Sequence, residues 1–132
     1  NWDVSSVSSM NSMFGTTSFN QPIGDWDVSN VTDMRAMFFA NYSFNQPIGD
    51  WDVSNVTNMV AMFTRAYAFN QPIGDWDVSS VTYMSGMFWG ATSFNQNLSS
   101  WIVGGVFDCY DFSLDAPLTE ANTPNFSNCD PN

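Results

Sequence analysis

The apolar residues of this chain follow two spacings within one stretch of sequence. Trp26 and Val28 alternate with Asp25 and Asp27, and this period of two predicts a very short strand with one buried face. Beyond Val28 the apolar positions come three, three, three and one residues apart, which predicts a helical or 3₁₀ segment. One unit therefore combines a strand, a turn, a helical segment and a return loop.

The unit recurs at an interval of 25 residues. The block FNQPIGDWDVSNVT begins at Phe19 and at Phe44, and a copy with serine in place of its last asparagine begins at Phe69. Tryptophans mark five copies, at Trp2, Trp26, Trp51, Trp76 and Trp101. Because one unit cannot cover its own apolar face, successive units have to stack. The sequence predicts an α/β solenoid of about five 25-residue coils, each with one very short parallel strand and one short helical segment.

The repeat weakens in the fifth copy. Val106 keeps the pattern, but Cys109 and Phe112 stand where the earlier copies have the two core methionines. Beyond these residues the periodicity fails. We expect residues 1–107 to form the repeat solenoid and residues 108–132 to form a C-terminal cap.

Charge narrows the classes of partner. The chain has thirteen Asp and Glu residues, two arginines and no lysine or histidine, for a formal net charge of −11. Such a surface repels nucleic-acid phosphates and anionic lipid headgroups, so neither is expected as a partner. A content of 44% hydrophobic residues supplies the buriable surface of a folded domain. No apolar run is long enough to predict membrane insertion within this segment.

The two cysteines, Cys109 and Cys129, lie beyond the clear repeats. The pair fits a disulfide formed in an oxidising, extracellular compartment, and two reduced thiols are the alternative. Such a bond would hold the cap against the last coil. Two cysteines without a histidine make a poor zinc site.

The repeated residues GDWDVSNVT, followed by MRAMF and SFNQ, resemble the BspA-like, mycoplasma-lipoprotein-type surface repeats, which are divergent relatives of leucine-rich repeats. The resemblance covers about residues 1–107. It implies an extracellular, leucine-rich-repeat-like solenoid, often in tandem arrays on surface proteins, with adhesion or host and matrix binding suspected for some members. Ile23, Trp26 and Val28 would occupy the leucine positions of the strand. The family implies no catalytic residues.

Stacking would turn each repeated aspartate into a column. Equivalent side chains would lie about 4.8 Å apart, where like charges repel by about 0.9 kcal/mol per pair in bulk water. A divalent cation, with Ca²⁺ as the candidate, or a basic partner could compensate this repulsion. The alternatives are a solvated face, or aspartates that accept backbone hydrogen bonds in turns. The candidate metal ligands are Asp25, Asp27, Asp50, Asp52, Asp75 and Asp77.

Other repeated polar residues have structural and functional interpretations. The column of Asn20, Asn45, Asn70 and Asn95 is expected to bond the backbone of adjacent coils. The hydroxyl columns could cap the helical segment, or order water as an ice-binding face; they comprise Ser29, Ser54, Ser79, Thr32, Thr57 and Thr82. Five sequons are candidates for glycosylation, at Asn30, Asn41, Asn55, Asn97 and Asn125.

These observations predict an extracellular or cell-surface module for adhesion or structural interaction. Its partner would be a surface or matrix protein or glycan, bound through a rigid acidic face. Residues 1–14 are expected to form an open edge, which could support end-to-end self-association unless an upstream segment covers it. Catalysis is not expected, because without histidine or lysine only carboxylates could act as acid or base. The alternative function is ice binding through the flat Ser/Thr-bearing face.

Overall fold

The computed structural model describes residues 2–132, so the part of the predicted open edge at Asn1 lies outside the described residues. Within residues 2–132 the one helix is a 3₁₀ turn at Glu120–Asn122, and the β-structure consists of isolated parallel bridges without a sheet. The predicted α/β, leucine-rich-repeat-like solenoid of strands and helical segments is therefore wrong. The repeats are built from turns, and successive repeats lie on one another.

Turns on both sides of the predicted strand explain its absence. In the second repeat the N–H of Trp26 donates to the carbonyl of Ile23, at 3.1 Å, and the N–H of Val31 donates to that of Val28, at 2.9 Å. Each bond closes a four-residue turn. Trp26 and Val28 thus lie where two turns are joined, and this connection is too short to form a strand.

Turns also account for the spacing that predicted a helical segment. The N–H groups of Met37, Phe39 and Asn41 donate to carbonyls three residues earlier, at 3.2, 3.1 and 3.0 Å. Ala36 and Ala40 have φ angles of 54° and 51°, in the left-handed region that an α-helix excludes. The same two positions have positive φ in the other repeats, at Ser12, Thr16, Ala61, Arg65, Gly86, Gly90, Asp111 and Asp115. The spacing of three between the apolar residues therefore comes from hydrogen bonds that close successive turns.

Alternate N–H groups of this turn-rich segment bond the next repeat. Those of Met34, Ala36, Phe38 and Ala40 donate to the carbonyls of Asn58, Val60, Met62 and Thr64, at 2.8 to 3.0 Å. Four equivalent bonds also join each of the remaining pairs of adjacent repeats. The parallel bridges run through the same stack, at Ser9–Asp33, Asp33–Asn58, Asn58–Tyr83 and Tyr83–Asp108.

The core consists of side chains that pack on their own copies. Phe38, Phe63 and Phe88 stack with ring centres 5.5 Å apart. The indole rings of Trp51, Trp76 and Trp101 lie 6.4 Å apart and within 6° of parallel. The methionine columns are fully buried, as expected of core residues: Met34, Met59, Met84, Met37, Met62 and Met87.

Each buried indole also bonds the preceding repeat. The Nε1–H groups of Trp51, Trp76 and Trp101 donate to the carbonyls of Ile23, Ile48 and Ile73, at 3.0 to 3.1 Å. A buried indole N–H without a partner would cost free energy of unfolding. The tryptophan therefore helps to fix the register of the third, fourth and fifth repeats, each on the one before it.

The C-terminal residues lie against the fifth repeat. The predicted disulfide between Cys109 and Cys129 is confirmed. The carbonyl of Asn122 accepts the N–H of Leu98, at 2.9 Å, and the side chain of Asn128 donates to the carbonyl of Gly104. None of the described residues belongs to a helix that is long and apolar enough to cross a membrane. The division at residues 107 and 108 stays a prediction.

Candidate binding surface

One of the two aspartate columns is part of the turn structure. Oδ1 of Asp3, Asp27, Asp52 and Asp77 accepts both the N–H and the hydroxyl of the serine two residues later, at 3.0 to 3.1 Å and 2.6 to 2.7 Å. These hydrogen bonds favour the charged carboxylate, and they lower the pKa of Asp3, Asp27 and Asp77. Of the interpretations drawn from the sequence, this geometry matches aspartates that stabilise turns.

The other column, Asp25, Asp50 and Asp75, lies along an open groove. Its floor includes Gly49 and Pro72. Across residues 2–132, no three acidic or cysteine side chains are grouped in a way that could hold a metal ion. The structure thus gives no support to the Ca²⁺ site predicted at Asp25, Asp27, Asp50, Asp52, Asp75 and Asp77.

The hydroxyl columns bond the protein itself. Oγ1 of Thr32, Thr57 and Thr82 donates to a backbone carbonyl of the preceding repeat, at 3.2 to 3.3 Å. Ser29, Ser54 and Ser79 donate to the aspartates of the turn. Since these donors are engaged within the chain, they are not free to organise water. Ice binding stays a prediction that this arrangement does not favour.

The asparagine column bonds adjacent repeats. Oδ1 of Asn20, Asn45 and Asn70 accepts the N–H of the asparagine 25 residues later, at 2.9 to 3.0 Å. The Nε2 groups of Gln46, Gln71 and Gln96 donate to the same asparagines. This surface therefore serves the stacking of the repeats.

The five sequon asparagines differ in accessibility. Asn41 is fully buried, and its amide bonds Phe14, Phe19, Ser43 and Phe44. The folded chain therefore does not offer Asn41 for glycosylation. The remaining four are exposed: Asn30, Asn55, Asn97 and Asn125. Their glycosylation stays a prediction.

A surface that the sequence interpretation missed lies on the outward side of the turn-rich segments. We call it the aromatic face, and define it by the exposed side chains of residues 32–42, 57–67, 82–92 and 107–114. Its seven exposed aromatic residues are Phe39, Tyr42, Tyr67, Tyr83, Trp89, Phe107 and Tyr110. Both arginines of the chain, Arg35 and Arg65, belong to the same segments. The face thus combines aromatic rings with the chain's two positive side chains.

Contacts between repeats order part of this face. The rings of Tyr42 and Tyr67 stack with centres 4.7 Å apart and 9° between their planes. The guanidinium carbon of Arg65 lies 5.7 Å from the centre of the Trp89 ring, within the range of a cation–π interaction. The N–H of Arg65 also donates to the carbonyl of Trp89, at 2.7 Å. These rings are therefore presented on a hydrogen-bonded frame.

The residues of the aromatic face differ from copy to copy. Position 39 is phenylalanine, whereas the equivalent positions 64 and 89 are threonine and tryptophan. Because these positions do not form a column of identical residues, the repeat pattern does not reveal them. The sequence held one indication of this surface, namely aromatic residues at positions that lie between the core residues of the repeat.

Comparison with known proteins identifies a family model that matches the chain. The family model described as a Mycoplasma protein of unknown function, DUF285, matches residues 16–126. No curated protein and no solved structure matches the chain significantly. The resemblance to mycoplasma-type repeats seen in the sequence is confirmed at the level of the family. Because the match covers most of its length, the chain belongs to the DUF285 family.

Proposed function

We propose that this chain is a non-catalytic extracellular binding module, which adheres to a surface or matrix partner through its aromatic face. The observation that carries the proposal is the exposure of seven aromatic side chains on segments that also hold both arginines. Tyrosine, tryptophan and arginine dominate the binding energy of protein interfaces. Exposed rings also meet across repeats, Tyr42 with Tyr67 and Tyr83 with Phe107, and grouped exposed apolar side chains mark interaction sites.

The frame beneath the aromatic face suits binding. Backbone bonds from Ala36, Phe38 and Ala40 join these segments to the next repeat, and the core beneath them is fully buried. Side chains held in place before association lose less conformational entropy on binding. A stack of turns can therefore support specific recognition without a deep pocket.

Two features support an extracellular location. The bond between Cys109 and Cys129 is characteristic of oxidising compartments, and the family is a mycoplasma-type repeat family. A role without catalysis agrees with the side chains at hand: both cysteines are oxidised, and the chain has no histidine or lysine. These features support a binding role.

The proposal is tested by adhesion of beads coated with the protein. Wild-type beads should adhere to at least one of immobilised collagen, immobilised mucin and cultured epithelial cells. Combined substitution Phe39→Ser, Tyr67→Ser and Trp89→Ser should reduce adhesion at least about tenfold, because it removes aromatic anchors. Thermal unfolding should show that the variant stays folded, since all three side chains are exposed.

A matched variant tests the acidic surface instead. Asp25→Asn, Asp50→Asn and Asp75→Asn remove three exposed charges outside the aromatic face, and adhesion should persist. Adhesion lost with the aspartates and kept without the aromatic residues would show that the acidic surface binds the partner. Absence of wild-type adhesion to collagen, to mucin and to epithelial cells would also contradict the proposal.

A further inference from the structure

The stack of tyrosines on the aromatic face stops after two rings. Tyr42 and Tyr67 are equivalent residues of the second and third repeats, and their rings stack at 4.7 Å. The equivalent residue of the fourth repeat is Thr92, which is exposed. Because threonine has no ring, the face of Tyr67 turned away from Tyr42 is not continued by a third ring. Tyr67 remains 42% exposed.

Two further side chains belong to the same junction between the third and fourth repeats. Arg65 lies two residues before Tyr67 and projects over Trp89 of the fourth repeat, with the guanidinium carbon 5.7 Å from the ring centre. Trp89 is itself 38% exposed. We call the group formed by Arg65, Tyr67, Trp89 and Thr92 the tyrosine step. It combines an aromatic ring face, a second ring, a hydroxyl and a positive charge.

We propose that the tyrosine step binds one pyranose ring of a carboxylate-bearing glycan, an inference that rests on the proposed function. The C–H groups on one face of a pyranose carry partial positive charge and pack against the negative face of an aromatic ring. A further ring stacked on Tyr67 would need about the spacing that separates the ring centres of Tyr42 and Tyr67, which is 4.7 Å. A sugar on Tyr67 would thus continue the stack above Thr92.

Charge selects the kind of sugar. Arg65 supplies a local positive charge on a chain whose net charge of −11 otherwise disfavours anionic ligands. A guanidinium binds a carboxylate through two parallel hydrogen bonds, and it can do so while its planar group stays near an aromatic ring. The step therefore favours a uronic acid over the neutral sugar of the same shape.

The position is specific to one junction of the stack. Between the second and third repeats the equivalent space holds the contact of Tyr42 with Tyr67. There Ala40 stands in place of Arg65, and in the fourth repeat Gly90 does. The geometry thus points to one sugar site at the junction of the third and fourth repeats.

Titration calorimetry with a galacturonate trisaccharide tests the proposal. The wild-type chain should bind this probe, and it should bind the neutral galactose trisaccharide at least about tenfold more weakly. Thr92→Tyr should extend the tyrosine stack, leave the chain folded and abolish binding. Arg65→Gln should weaken galacturonate binding about tenfold and leave binding of the neutral probe unchanged.

The control variant is Tyr110→Ala, which removes an exposed aromatic residue of the fifth repeat outside the tyrosine step, and it should bind as the wild type does. Wild-type affinity in Thr92→Tyr, or equal affinity for the two trisaccharides, would overturn the proposal. Equal affinity for a hexaglutamate peptide would overturn it as well, because the step would then recognise charge alone.

The two proposals fail in different ways. If bead adhesion depends on Phe39, Tyr67 and Trp89 but is insensitive to Thr92→Tyr, the aromatic face binds its partner and the sugar site is wrong. If adhesion is absent while the trisaccharide binds as described, the site is right and the adhesive role is wrong.

Discussion

At the scale of single residues, the glycines two positions before Trp26, Trp51 and Trp76 show how closely the repeats approach. A Cβ placed on Gly24 or Gly49 would lie 2.7 Å from the carbonyl oxygen of Pro47 or Pro72 in the next repeat. At Gly74 the distance to the carbonyl oxygen of Asn97 would be 2.6 Å. The sequence marks these glycines as turn residues. The stacked structure shows a second requirement, since the next repeat leaves no space for a side chain.

Substituting Gly49 tests this requirement. Gly49→Ala should lower the free energy of unfolding by about 1–3 kcal/mol, because backbone on both sides has to shift. Gly104→Ala is the matched control, since a Cβ there meets nothing within 4 Å, and it should change stability by less than about 0.5 kcal/mol. Urea unfolding of both variants provides the comparison. Equal effects would contradict the role of close approach.

At the scale of one element, the aspartate–serine turn explains why a column of like charges is tolerated. The serine two residues after the aspartate donates two hydrogen bonds to its carboxylate, Ser29 to Asp27 and Ser79 to Asp77, and these bonds lower the pKa of both carboxyls. At Asp27 they outweigh the repulsion from Asp3, which raises the pKa. A carboxyl whose pKa is lower in the folded chain stabilises the fold fully above its unfolded value. That stability is lost as pH falls through the folded pKa.

The hydroxyl of Ser79 should set the acid sensitivity of its turn. Ser79→Ala removes the largest cause of the lowered pKa of Asp77, so this pKa should rise toward the ordinary value of 3.8. The variant should also lose less of its melting temperature than the wild type between about pH 5 and pH 3, because less stabilisation remains to be titrated. Carboxyl chemical shifts of Asp77 followed by NMR measure the pKa directly. An unchanged value would contradict the assigned cause.

At the scale of the whole molecule, the stack has a direction. Along the turn-rich row the N–H groups of each repeat point toward the following repeat, as Met34 does toward Asn58. A partner added at the first repeat would therefore have to supply N–H groups along this row, whereas the fifth repeat is contacted by C-terminal residues at Leu98 and Gly104. Trp2, 66% exposed, lies at the first repeat. End-to-end self-association stays a prediction, now with a required polarity.

The disulfide between Cys109 and Cys129 should stabilise the C-terminal end of the stack. Reduction, or Cys129→Ala, should cost about 3 kcal/mol for a loop of this length on the chain-entropy account. Hydrogen exchange should show protection lost first over residues 101–112, because the cap bonds the fifth repeat. Protection at Met34 to Ala40 provides the internal control and should persist. A uniform loss along the chain would contradict a local role of the cap.

Sequence alone was sufficient for the features that depend on which residues recur. The interval of 25 residues, the buried methionine columns, the bonding of the asparagine column and the pairing of Cys109 with Cys129 were all expected. Identical apolar residues at a fixed interval are best buried when the copies stack, and the only two cysteines can pair in just one way. The mycoplasma-type family was also evident from the repeated residues.

Tertiary structure alone decided the local conformation and the candidate surface. Turns and a helix share an apolar spacing of three, and nothing in the identity of Ala36 or Ala40 specifies a positive φ. Hydrogen bonds to the adjacent repeat select that conformation, which is why the predicted helical segment and strand were wrong. The aromatic face likewise depends on contacts between repeats. Arg65 and Trp89 are 24 positions apart in sequence, and only the register of the third repeat on the fourth brings them together.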